Sequence, residues 1–327
     1  MTEPLLEVRG LKKYFPIRGG VFMKVVAHVH AVDDIAFHIM PGETLGLVGE
    51  SGCGKSTVGR TLIQLYEPDG GEVTFDGHHL EKMSPRELAP IRKSLQMIFQ
   101  DPYESLNPRL SVEDILMESY LVHKVGTKKE NRAKIHKLLE RVGLSSKYGA
   151  RYPHEFSGGQ RQRVGIARAI AHRPKLVVCD EAVSALDVSV QSQVLNLLLE
   201  LQEEMGMSYL FISHDLAVVR HVSDRVAVMY LGKIVEITDA DTIYKNPRHP
   251  YTKALLSAIP KIDPKTRSDR VILEGDVPSP INLPNGCRFA GRCPHVKDIC
   301  HQSLPPLEPL KGSSSSHEVA CFRVDEI

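Results

Sequence analysis

The chain has 327 residues, 42% of them hydrophobic, enough for one large domain or two with a real core. Lys and Arg number 41 and Asp and Glu 40, and a net charge of +1 gives no electrostatic pull toward nucleic acid. No apolar run approaches the roughly 18 residues of a membrane span. The start, "MTEPLLEVRG", lacks the basic and apolar regions of a signal peptide, so a cytosolic chain is expected.

Residues 5–40 read as short strands that end at the turn signal Pro41-Gly42. "TLGLVGE" (44–50) is an apolar strand feeding a glycine-rich loop, and a helix pattern runs from Lys55 to about Gln64. "GGEVTFDG" (70–77) reads as a hairpin strand, and residues 85–172 are mostly helical in pattern. In "RAKIHKLLERVGL" (132–144), Ala133, Ile135, Leu138, Leu139 and Val142 fall near one face before Gly143 stops the helix. "KLVVCDE" (175–181) is a buried type of strand. A long helix over 187–206 follows, with Asp187 as N-cap and Gly206 as stop. "SYLFISH" (208–214) is a further strand, and 225–237 is a hairpin turning at Leu231-Gly232-Lys233. Strands alternating with helices predict an α/β fold with a largely parallel sheet. After Ile259 prolines punctuate the chain and "GSSSS" (312–316) signals a flexible loop. The expected division is a catalytic domain, 1–245, and a small appended module, 246–327.

"GESGCGKST" (49–57) matches G-x-x-x-x-G-K-[ST] between a predicted strand and a predicted helix, the setting a phosphate loop requires. Gly49, Gly52 and Gly54 open backbone conformations that let N–H groups crowd a phosphate, and the helix N-terminus adds partial positive charge. Lys55 can reach β- and γ-phosphates, and the Ser56 hydroxyl, with Thr57 beside it, can ligate Mg²⁺. "LVVCDEAVSALD" ends its strand in Asp180-Glu181, where carboxylates face a ligand crevice. Asp180 suits holding Mg²⁺ through water, and Glu181 suits activating the attacking water. Cys53 and Cys179 read as small packing residues. His28, His30, His78 and His79 show no ligand spacing and read as surface or satisfied residues. In "FSGGQRQRVGIARAI" (156–170), Ser157 can cap a helix whose first N–H groups, at Gly158 and Gly159, form a second anion-binding end.

With that segment the chain resembles the nucleotide-binding subunit of an ATP-binding cassette (ABC) transporter, across roughly residues 5–240. The phosphate loop, Gln100 after "MIF", "FSGGQ", "VVCDE", "SALD" (184–187) and His214 in "FISHD" stand in family order. The resemblance implies a P-loop NTPase fold: a RecA-like parallel sheet core, an N-terminal antiparallel β subdomain and a helical subdomain near 85–172. It also implies that two cassettes clamp two ATP molecules head to tail. Gly49, Glu50, Ser51, Gly52, Cys53, Gly54, Lys55, Ser56 and Thr57 of one cassette would face Ser157, Gly158, Gly159 and Gln160 of the other. Gln100 would touch Mg²⁺ or the water, His214 the γ-phosphate, Asp187 would lie at the seam, and Phe15, or else Tyr14, would stack on adenine. The sequence departs from the family at Phe156, where Leu is commoner, and at Ala182, where Pro usually stiffens the turn.

"NPRHPYTKALLSAIP" (246–260), "GDVPSPINLPNGCRFAGRCP" (275–294) and "DPYESLNPRLSV" after Gln100 resemble the oligopeptide, dipeptide and nickel importer group. The resemblance implies a different second cassette, two membrane permease subunits, an extracytoplasmic binding protein and a peripheral place on the cytoplasmic membrane face. Relatives that take nickel, glutathione or oligosaccharides share this tail. A ribosome- or DNA-acting cassette protein is the competing class, but this chain has one cassette and no basic arm. The tail holds four of six cysteines, Cys287-x5-Cys293-x6-Cys300-x20-Cys321. In a reducing compartment such a cluster suggests metal rather than disulfides, though free or paired thiols stay open. Zinc favours C-x2–4-C pairs, absent here, and four thiolates at wider spacing suit a [4Fe–4S] cluster at least as well. The resemblance adds weight to the cluster, since similar tails hold one.

Overall fold

Two strands far longer than the sequence suggests open the chain: Leu6–Gly19 and Lys24–Ile39, of 14 and 16 residues. The computed structural model describes residues 3–259, 273, 275, 278–310 and 317–327; the predicted "GSSSS" loop lies outside them. The described chain divides into two units, one built from Ile39–Glu43 and Lys82–Ile212, the other from Pro4–His38, Thr44–Glu81 and Ser213–Ile327.

In the second unit the long strands form a sheet with Gly70–Phe75 and His78–His79. A bulge between Arg9 and Lys12 shifts the register, with Gly10 at φ 60°. That bulge bends one strand and breaks its alternation, which is why the segment looked like several short strands. His78 and His79 are exposed, and the His30 ring packs on Tyr14 at 4.4 Å, so these histidines are surface or satisfied as expected. The same unit pairs the fully buried Thr44–Val48 in parallel with Arg225–Tyr230, which turns back into Lys233–Asp239. The turn is made by Leu231 and Gly232, both left-handed at φ 43° and 78°, as a tight hairpin demands. The C-terminal segment then returns to this sheet: Glu318–Val319 pairs with Lys233–Asp239, and Glu308–Pro309 with Glu318–Val319. Two-residue strands leave no periodicity to read.

Glu236 anchors that return. Its carboxylate, wholly buried, accepts from His317 Nε2 at 2.7 Å and from the N–H groups of Arg248 and His249 at 2.7 and 2.9 Å. Burial alone would push this carboxyl up; the hydrogen bonds outweigh it and hold it below the ordinary range. His249 caps the helix Pro250–Ser257 by accepting the Tyr251 N–H at 3.1 Å. Burial pushes the His249 imidazole down to about 4, against the opposing pull of Glu236. Unfolded histidine titrates near 6.5, so the unfolded chain takes up the proton first as pH falls, and stability drops between about pH 6.5 and 4. The expected loss between pH 7 and pH 5 is about 2 kcal/mol. Thermal unfolding midpoints across that range check it, and His249→Asn, which keeps a capping acceptor, flattens the slope.

In the first unit Leu176–Asp180 lies between Leu95–Ile98 and Ser208–Ser213, parallel to both. Leu95–Ile98 interrupts the stretch read as helical; four residues are too few to reveal a period. Around it stand Val112–Val122, Lys128–Arg141, Gly158–Ile170 and Val188–Met205. Lys128–Arg141 begins four residues before the predicted helix, at a capping box in which Thr127 and Glu130 satisfy each other's N–H groups. Ile135, Leu138, Leu139 and Val142 are buried as predicted, whereas Ala133 is exposed and Asn131 takes the inward place. Asp187 stands at the N-cap of Val188–Met205 without a side-chain capping bond, and Gly206 closes that helix at φ 66°.

Candidate active site

The phosphate loop lies wholly in the second unit, and its helix is Lys55–Leu62, two residues shorter than predicted. Gly54 has φ 108°, and a Cβ there would meet the Ala31 carbonyl oxygen at 1.9 Å. At Gly49 a Cβ would meet the Met229 carbonyl oxygen at 2.2 Å. Both positions therefore require glycine on contact grounds as well as conformation. Lys55, 4% exposed, donates from Nζ to the carbonyl oxygens of Gly49 and Glu50 at 2.8 and 3.0 Å. Its ammonium is thus folded into the loop that it would leave to meet phosphate. Cys53 is buried and burial pushes its thiol up, which fits packing rather than chemistry. Ser51 and Gly52 are exposed at the loop tip, and Ser56 and Thr57 are half-buried on the first helical turn.

The aromatic candidates part company here. Tyr14 donates from its hydroxyl to Asp33 Oδ1 at 2.5 Å, so it is engaged inside the unit. Phe15 is half-buried, edge-on to Tyr66 at 5.3 Å. His214 follows the strand Ser208–Ser213 and is exposed.

In the first unit Asp180 ends a wholly buried strand and is itself 0% exposed. Glu181 follows in a left-handed conformation, φ 47°, with its N–H on the Ile212 carbonyl at 3.0 Å. A bulky residue held at positive φ costs about 1–3 kcal/mol, and such strain gathers at functional sites. Gln100 Nε2 donates to Glu181 Oε2 at 2.9 Å, so the structure joins two residues that sequence reading had only placed in order. Burial pushes the Cys179 thiol up, leaving it an inert packing group. Ala182 is buried directly after Glu181.

"SGGQ" opens the helix Gly158–Ile170 with a capping box: Ser157 Oγ accepts the Gln160 N–H at 3.3 Å, and Gln160 Oε1 accepts the Ser157 N–H at 3.1 Å. Ser157 is exposed and the following N–H groups face an open helix end. Gly159 has a second reason to be glycine, since a Cβ would meet Val190 Cγ1 at 2.4 Å. Sequence reading missed Arg161 on this helix. It donates to the Pro153 carbonyl at 2.6 Å and lies 3.7 Å over the Tyr103 ring, tying the helix to the segment after Gln100. Phe156 is buried against Tyr148, so the departure from Leu fills a core position.

The four tail cysteines line one small cavity, together with His295. All are free thiols, and the Cys287 N–H donates to the Cys300 carbonyl at 2.7 Å. Burial pushes the Cys287 thiol up to about 11 and raises Cys293 and Cys321 as well. Against that trend, a backbone N–H two residues on favours each thiolate: Phe289 for Cys287, His295 for Cys293, and Arg323 for Cys321 at 3.4 Å. Among the described residues no group of three or more His, Cys, Asp or Glu is set to hold a metal ion.

A glycine-rich loop of the form G-x-x-x-x-G-K-S before a helix, and the segment SGGQ opening another, are features of ATP-binding cassettes, a nucleotide-hydrolysing class. Residues 32–184 match the ABC transporter family, and residues 235–300 match the oligopeptide/dipeptide transporter C-terminal region. The chain is 53% identical over 322 residues to the oligopeptide transport ATP-binding protein AppF of Bacillus subtilis, covering 98% of this chain and 97% of that protein. It is 48% identical to the dipeptide transport ATP-binding protein DppF of Haemophilus influenzae, covering 99% and 98%. Among solved structures, the dimeric post-hydrolysis state of the ATP-binding cassette MJ0796 bound to ADP and Pi matches with a TM-score of 0.64 at 26% identity, over 72% of this chain and 98% of that one. The chain belongs to the ATP-binding proteins of ABC transporters, in the oligopeptide/dipeptide group. It is an ABC-type ATPase with the α/β fold of that family. Among the described residues no helix is long and apolar enough to cross a membrane.

Proposed function

We propose that this chain hydrolyses ATP to drive uptake of di- or oligopeptides through separate membrane subunits. The observation that carries the catalytic half is the Gln100–Glu181 hydrogen bond at 2.9 Å, which orients a carboxylate already fixed by its backbone. Within this reading Lys55 meets the β- and γ-phosphates, Ser56 and Asp180 supply hard oxygen donors for Mg²⁺ with Gln100, and Glu181 takes the proton of the attacking water. His214 contacts the γ-phosphate and Phe15 stacks on adenine. Ser157 to Gln160 receive the nucleotide of a second, homologous cassette, with Asp187 at the seam. Residues 1–245 serve as the nucleotide-binding domain and 246–327 as the importer extension. The peptide half rests on the C-terminal-region match and on relatives named for oligopeptide and dipeptide transport.

The partners are a second ATP-binding subunit, two integral permease subunits at the cytoplasmic membrane face and an external binding protein. Capture of this chain from detergent-solubilised membranes tests that set. Integral membrane subunits and a second cassette should be recovered; ribosomes or DNA in their place would sink the transport reading.

The four cysteines of the extension, Cys287, Cys293, Cys300 and Cys321, hold a [4Fe–4S] cluster in this reading, with zinc as the alternative. Support comes from four free thiols around one cavity and from the Arg323 N–H, which donates to the Cys321 sulfur at 3.4 Å. When bound, such a cluster supplies a one-electron centre and cross-links a segment with little core of its own.

A further inference from the structure

The phosphate loop is gripped by the C-terminal extension, within one unit of the fold. Arg292, the residue before Cys293, places Nη1 and Nη2 on the two oxygens of the Glu50 carboxylate at 2.8 and 3.1 Å. The Arg292 side chain is 9% exposed and that of Glu50 26%, so this two-pronged pair is partly shielded from water. The Glu50 N–H donates to the Tyr251 hydroxyl at 2.9 Å. Tyr251 is fully buried, packed 4.7 Å from Tyr230 and 5.5 Å from Phe289, which belongs to the cysteine segment. A second arm is parallel. Arg288, beside Cys287, pairs with Asp33 and donates to the Leu231 carbonyl, and Asp33 accepts from Tyr14, the neighbour of Phe15.

Glu50 is therefore held through three groups: its carboxylate by Arg292, its N–H by Tyr251 and its carbonyl by Lys55. Lys55 must leave that carbonyl to reach a phosphate; the Cys53 N–H, at 3.3 Å, then stays on it, and the extension alone holds the Glu50 carboxylate and N–H. We infer that Arg292 and Tyr251 are positioning residues for Mg-ATP, holding Glu50 so that the phosphate loop keeps its curvature once Lys55 turns to the ligand. The inference rests on residues 49–57 binding the phosphates. Guanidinium geometry matters, because an ammonium cannot make both contacts at once.

Equilibrium binding of a fluorescent ATP analogue to the full chain tests this, alongside steady-state hydrolysis by the assembled complex. Arg292→Ala should weaken binding about tenfold or more, as expected for a charged hydrogen bond. KM for ATP should rise with kcat at saturating ATP changed less than about twofold, the mark of lost ground-state binding. Arg292→Lys should recover part of the affinity, and Tyr251→Phe, which keeps the ring packing, should weaken binding about threefold or more. If Arg292→Ala lowers the unfolding midpoint, the milder Arg292→Lys and Tyr251→Phe decide the matter. Native affinity in both would overturn the inference. Lys55→Ala is the separate control: native ATP affinity there would mean that the loop reading itself fails, whatever Arg292 does.

Discussion

Glu181→Gln keeps ATP binding and slows hydrolysis by about 10² to 10⁴, the range for losing a positioned general base. The substitution is close to isosteric, so the left-handed backbone and the Ile212 contact are retained. Only the ability to take a proton is removed. Phosphate release at saturating ATP, with ATP affinity measured on the same preparation, checks the outcome. Hydrolysis at the native rate would move the base to another residue and leave the Gln100 contact as structure alone. Gln100→Ala should act in the same direction but less, because it removes one partner of the Glu181 carboxylate and leaves the carboxylate itself in place.

The second large effect concerns the tail. Purified without oxygen, the chain should carry about four iron and four acid-labile sulfides, with absorption near the blue end of the visible. Cys300→Ser, or exhaustive chelation, should strip the iron and lower the unfolding midpoint, because metal-binding free energy in a small thiolate module is folding free energy. Cys300 is the sensitive choice: it is buried, and its carbonyl accepts the Cys287 N–H where Gly286 leaves no space for a side chain. Protein that lacks iron and sulfide but melts like the wild type would leave the cysteines as packing residues. Four zinc-competent thiols with one zinc per chain would replace the cluster by the alternative ion.

The chemistry was more legible in the sequence than the architecture that supports it. The phosphate loop can be read locally because glycine at residue 54 answers to a φ of 108° a few atoms away. "SGGQ" likewise carries its own capping box, so the open helix end follows from four consecutive residues. Gln100 and Glu181 stand in family order in the sequence, but their contact spans 81 positions, and no local pattern reports it. The Arg292–Glu50 pair spans 242 positions and was invisible for the same reason. Leu95–Ile98 was lost inside a helical reading because a four-residue strand shows no period. The Thr127–Glu130 capping box was readable as T-x-x-E and would have placed the start of Lys128–Arg141 correctly. Ala133 was assigned inward by period alone, and the buried Asn131, which donates to the Val125 carbonyl at 2.6 Å, shows that a polar contact decided that face.

Coupling of ATP hydrolysis to peptide uptake is the property on which the other roles depend. The most direct measurement is phosphate release by the purified transporter assembly in lipid vesicles, with peptide-loaded binding protein added or withheld. Loaded binding protein should raise the rate several-fold, peptide should accumulate inside in step with phosphate, and Glu181→Gln in this subunit should abolish both. Phosphate release indifferent to peptide, or peptide accumulation that persists with Glu181→Gln, would contradict that coupling.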